Sequence, residues 1–141
     1  NKQNNMFRII RYAIYLIVMT MFTAHVSGCN RNDGITSVSA AEFEREITTD
    51  SVQLLDVRTP EEYAAGHIAG AININVQSDV FQRLAEKELS KDSTILVYCR
   101  SGRRSLDAAD ILVGLGYKVV NLKGGIIEWE DDGLPVVTVE K

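Results

Sequence analysis

Ile95-Leu96-Val97-Tyr98-Cys99-Arg100-Ser101-Gly102-Arg103-Arg104-Ser105 is an apolar run that stops on a cysteine, crosses a short loop holding one glycine and enters a helical pattern. The branched and aromatic residues from Thr94 to Tyr98 predict a buried strand. Leu106, Ala109, Leu112 and Val113 fall on one face of a helix predicted from Arg104 to Leu115. A strand, a tight loop and a helix in that order bring backbone N–H groups together at the helix start, where negative charge is stabilised. Gly102 lets the loop curl without a side-chain clash. Arg100, Arg103 and Arg104 crowd positive charge around Cys99, which favours its thiolate and attracts an anion. Cys99 is therefore the candidate nucleophile. Arg100, Ser101, Gly102, Arg103, Arg104 and Ser105 are the candidate substrate-binding loop.

The neighbouring segments extend the pattern. Val52 to Val57 and Lys118 to Leu122 read as further short buried strands, and Val80 to Leu89 reads as a helix. Ser39-Ala40-Ala41-Glu42 has the spacing of a capping box, which predicts a helix from Ala40 to about Ile47 with Ala40, Phe43 and Ile47 on one face. Gly116 stands where a left-handed helix end leads into the next strand. Strands alternating with helices predict an α/β fold whose parallel sheet is covered on both faces. The chain has 141 residues, 45% hydrophobic and 24% charged, which suits one globular domain without repeats.

The start of the chain reads differently. Lys2, Arg8 and Arg11 precede an uncharged run from Tyr12 to Ala24, too short for a comfortable membrane span but of the length of a signal-peptide core. It ends in Val26-Ser27-Gly28-Cys29, which resembles the lipobox of bacterial lipoproteins. The resemblance implies cleavage after residue 28, acylation of Cys29 and attachment to the periplasmic side of a membrane. Asn30 is not the aspartate that favours inner-membrane retention in enteric bacteria, which points to the outer membrane. Residues 1–28 are thus expected as a signal peptide, 29–37 as a flexible tether and 38–141 as the folded domain. Removing the first 28 residues takes away three of the 15 basic residues and none of the 19 acidic ones. So acidic a remainder argues against a nucleic-acid partner. The two histidines, His25 and His67, fall in different segments and give no His/Cys metal set, so neither metal nor organic cofactor is expected.

Four motifs stand in order along the remainder. Cys99 to Arg104 resembles the Cys-x-x-Gly-x-Arg active loop of the rhodanese family. Leu54-Leu55-Asp56-Val57-Arg58 with Glu61, Glu62 and Tyr63 resembles its first motif, and Gly66-His67-Ile68-Ala69-Gly70-Ala71-Ile72-Asn73 its second. Gly124-Gly125 with Trp129, Gly133, Pro135 and Val136 resembles its C-terminal signature. The resemblance implies a five-stranded parallel sheet flanked by helices. It also implies a persulfide on Cys99, loaded by a small anionic donor such as thiosulfate and unloaded by cyanide or a thiol. The protein is expected to act as a monomer. Asp56, Arg58 and Glu62 are expected to form a network supporting the active loop, His67 to be structural and Trp129 to anchor the last helix. A sulfur carrier or protein-binding module without turnover is the alternative. A phosphatase loop of the dual-specificity type would need an arginine six positions after the cysteine, where this chain has Ser105.

Overall fold

The computed structural model describes residues 34–139. The expected signal segment and Cys29 lie outside the described residues. The chain runs β1 (Ile35–Val38), α1 (Ala40–Ile47), β2 (Val52–Asp56), α2 (Pro60–Ala65), β3 (Ile72–Asn73), α3 (Phe81–Glu88), β4 (Thr94–Tyr98), α4 (Arg103–Gly114), β5 (Lys118–Leu122) and α5 (Gly125–Asp131). All five strands are parallel, in the order β1-β5-β4-β2-β3, as the resemblance implied.

Period-two alternation along the strands divides the core into two layers. Leu55, Val57, Ile95, Val97, Cys99 and Val119 point to the face covered by α3 and α4, against Phe81, Ala85, Ala108, Ala109 and Leu112. Leu54, Leu96, Tyr98 and Leu122 point to the other, against Phe43 of α1 and Ile126 and Trp129 of α5. Cys99 thus continues the alternation of β4 and faces α4. Its position follows from the strand rather than from the loop.

The capping box of α1 forms as read, with Ser39 and Glu42 exchanging backbone contacts. Gly116 is left-handed (φ 91°) at the exit of α4. One expectation is corrected: residues 35–37 are not tether. Ile35 begins an edge strand paired with β5, in the register Ile35 to Val119, and packs against the α3/α4 core. Thr36 and Ser37 on that edge are exposed, so their small polar side chains read as a linker. Two other elements escape periodicity. β3 has only two residues, and α2 carries no buried residue. The signal for α2 was instead the capping spacing Thr59-Pro60-Glu61-Glu62, with proline in the first turn.

Candidate active site

β4 delivers Cys99 to the C-terminal edge of the sheet, where the thiol is 1% exposed. The loop turns back at Gly102, whose left-handed backbone (φ 92°) aims its N–H at the Cys99 Sγ, 3.1 Å away. Only glycine fits there, because a Cβ would stand 1.9 Å from the Lys123 carbonyl oxygen. α4 starts immediately after. The N–H groups of Arg103, Arg104 and Ser105 come too early in the helix to reach its own carbonyls, and they open toward the loop as an anion cradle. Ser105, fully buried, donates its hydroxyl to the Gly102 carbonyl (3.1 Å) and holds the turn closed.

The candidate residues therefore gather in one place, with different tasks. Arg100 and Arg103 are exposed and have no ion pair among the described residues. Arg104 is not free in this way. Its Nη1 and Nη2 each donate to a Glu62 carboxylate oxygen at 2.8 Å. Hydrogen bonding from Arg104 outweighs partial burial and lowers the Glu62 carboxyl to about 2. The same Glu62 accepts from the Thr59 backbone N–H (3.0 Å), so one carboxylate caps α2 and anchors the first turn of α4.

Asp56 and Arg58 form a separate pair below the loop. The buried carboxylate takes the Arg58 Nη2 (2.6 Å), Nε (3.0 Å) and backbone N–H (2.9 Å). Burial would lower the Arg58 guanidinium, but the hydrogen bonds and charge of Asp56 overcome it and hold it raised. Arg58 also donates to the Gly66 carbonyl (2.7 Å) and lies over the Tyr98 ring at 5.7 Å. The expected single network is thus two. Asp56 and Arg58 fix the ends of β2 and β4, and Glu62 reaches the loop through Arg104. His67 donates from Nδ1 to the Tyr63 carbonyl (2.9 Å) and stacks on Tyr63 at 3.7 Å. Trp129 donates to the Pro135 carbonyl (2.9 Å) and meets Phe43 edge to face. Both are structural, as expected.

The role of Gly124-Gly125 was not legible in the sequence beyond its place in a motif. Gly125 (φ 64°) lets the first turn of α5 close on the active loop, where Ile126 N–H donates to the Cys99 carbonyl (2.9 Å) and Ile127 N–H to the Arg100 carbonyl (3.2 Å). Two glycines before an amphipathic stretch were the only signal.

The family model for the rhodanese-like domain matches residues 39–132, which hold the whole of this loop and its supports. The chain belongs to the rhodanese-like family. A sulfurtransferase of Allochromatium vinosum is 41% identical over 98 residues, covering 69% of this chain and 89% of that protein. An HTH-type transcriptional regulator of Mycobacterium tuberculosis is 42% identical over 102 residues, 71% of this chain and 44% of its own length. Among solved structures, a rhodanese-related protein from Thermoplasma volcanium superposes with a TM-score of 0.65 at 38% identity, over 74% of this chain and 99% of that one. Other relatives of this rhodanese-like domain are a thiosulfate sulfurtransferase of Escherichia coli, 41% identical over 83 residues, 59% of this chain and 76% of that protein, and a putative sulfurtransferase of Bacillus subtilis, 35% identical over 102 residues, 72% of this chain and 96% of that protein.

The Glu62–Arg104 pair gives this rhodanese-like domain an acid-dependent stability. A carboxyl lowered on folding contributes above its unfolded value and loses that contribution as pH falls. For Glu62 the window runs from 4.5 down to about 2. Urea midpoints of wild type and Glu62→Gln should differ above pH 5 or so and converge as pH falls through that window. A difference that stays constant would assign the stabilisation to another group.

Proposed function

We propose that this protein moves sulfane sulfur from thiosulfate or a related anionic donor to a thiophilic acceptor through a Cys99 persulfide. The observation that supports this most is the Gly102 N–H directed at the Cys99 Sγ at the mouth of a helix-start cradle. The Cys99 thiolate attacks the outer sulfur of thiosulfate, the sulfur–sulfur bond breaks, and sulfite leaves with the bonding pair. Loop N–H groups hold the charge that develops on the sulfur and on the departing sulfite. Cyanide or a thiolate then attacks the outer persulfide sulfur, and Cys99 leaves as thiolate. Thiocyanate and sulfite formed from thiosulfate and cyanide by the purified protein test the reading.

The exposed guanidinium of Arg100 draws the anionic donor to the loop. Arg100→Ala should lower kcat/KM for thiosulfate about tenfold, the worth of one charged contact, and spare a neutral persulfide donor. Arg104→Ala should weaken both donors alike, since Arg104 is occupied by Glu62. Equal losses for both donors in Arg100→Ala would remove Arg100 from donor attraction.

A sulfur carrier or protein-binding module without turnover is the second reading, favoured by the relative in which a matching segment covers under half of a transcriptional regulator. It predicts a stable persulfide and no thiocyanate.

We also propose that Cys29 carries lipid and holds the domain on the periplasmic side of a bacterial membrane. β1 begins at Ile35, so only five residues separate Cys29 from the first strand. Metabolic labelling with a fatty acid should mark the wild type and not Cys29→Ala. An unlabelled wild type, or a labelled variant, contradicts the proposal.

A further inference from the structure

The peptide planes of the active loop are set from across the sheet. Cys99 faces the α4 layer, whereas Ile126 of α5 belongs to the opposite layer. The carbonyls of Cys99 and Arg100 are nevertheless turned to α5, held by the N–H groups of Ile126 and Ile127 at 2.9 and 3.2 Å. No peptide bond among the described residues is cis. In a planar trans peptide the N–H points opposite to the C=O. Pinning the Cys99 carbonyl on α5 therefore sends the Arg100 N–H away from α5, toward the side of the Cys99 sulfur. Pinning the Arg100 carbonyl does the same for the Ser101 N–H.

The grip depends on one residue. A Cβ on Gly125 would lie 2.4 Å from the Arg100 carbonyl oxygen, 2.5 Å from its carbon and 2.6 Å from the Ser101 nitrogen. All three are backbone atoms of the Arg100–Ser101 peptide plane, which follows directly on that of Cys99–Arg100, so they cannot yield as a flexible side chain would. Gly125 also has a left-handed φ of 64°.

We propose that Gly125 is a positioning residue for sulfur transfer: by letting the first turn of α5 hold the Cys99 and Arg100 carbonyls, it aims the Arg100 and Ser101 N–H groups at the reacting sulfur. The proposal rests on the sulfurtransferase reading and adds two donors to the Gly102 N–H and the start of α4. It makes α5, which contributes no side chain to the chemistry, a determinant of the rate.

The test compares Gly125→Ala with Gly70→Ala. Gly70 is also left-handed (φ 82°) but has nothing within 4 Å of a Cβ, so it carries the backbone penalty without touching the loop. With folding verified by circular dichroism, Gly125→Ala should slow thiosulfate-dependent kcat by about a hundredfold, the usual loss when an anion-hole donor is removed. It should also slow alkylation of Cys99 by iodoacetamide at neutral pH, a readout that needs no sulfur transfer. Gly70→Ala should match wild type in both. In wild type, titration with inorganic sulfite should move the amide resonances of Arg100 and Ser101, a measurement that holds even if Gly125→Ala does not fold. A folded Gly125→Ala with wild-type alkylation, or wild-type amides that ignore sulfite, overturns the proposal. A wild type that makes no thiocyanate, with the alkylation difference intact, overturns the sulfurtransferase reading instead.

Discussion

Cys99→Ser is expected to reduce thiosulfate-to-cyanide sulfur transfer by about a thousandfold or more while leaving the fold unchanged. Serine is close to cysteine in volume, and the site is otherwise built from backbone, so the core of β4 and α4 has little to rearrange. The Gly102 N–H would still meet a side-chain acceptor at position 99. What is lost is the thiolate, since a hydroxyl is hardly ionised at neutral pH and cannot form a persulfide. Unchanged circular dichroism and urea midpoint with no thiocyanate is the expected outcome. Substantial turnover in the variant would place the nucleophile elsewhere.

The largest effect on stability is expected at Asp56. Its carboxylate is fully buried and receives three nitrogens of Arg58, itself only 5% exposed. Asp56→Ala leaves a buried guanidinium with its main counter-charge gone, a loss of about 3–5 kcal/mol in comparable pairs. That is a large share of the total for an ordinary domain, roughly 5–15 kcal/mol. Replacing both partners together, as in Asp56→Leu with Arg58→Met, removes the charge conflict and should recover most of the loss. Urea unfolding with an unchanged slope separates the two cases. A double variant as unstable as the single one would show that the carboxylate is needed for more than its partner. Tyr98 lies within this pair's field, and its phenol is pushed up first by burial and then by the charge of Asp56.

How far the sequence revealed the molecule depends on where each signal resides. Thr94 to Tyr98 and Lys118 to Leu122 are central strands, and their branched apolar residues, bounded by polar or turn-forming ones, mark their limits. α4 was read one residue late because Gly102, in a left-handed conformation, serves as its cap and the helix opens at Arg103. β1 was hidden because its two apolar residues, Ile35 and Val38, stand three apart and face opposite layers with exposed Thr36 and Ser37 between them, so no alternation shows. β3 is two residues long and α2 buries nothing, so neither offers a period to detect. Cys99 and its loop were legible because the signal is local: strand, cysteine, glycine and clustered arginines within a few residues. The partnership of Arg104 with Glu62 spans 42 positions, and the grip of α5 on the loop joins Ile126 to Cys99 through backbone atoms alone. Contacts between peptide groups leave almost no trace in side-chain pattern, beyond the glycines that make room for them.

The persulfide on Cys99 is the claim on which the rest depends, and intact-protein mass spectrometry after incubation with thiosulfate tests it most directly. The account predicts a gain of one sulfur, localised by fragmentation to the peptide containing Cys99, removed by cyanide and absent from Cys99→Ser. An unchanged mass, or a sulfur that persists in Cys99→Ser, would contradict it.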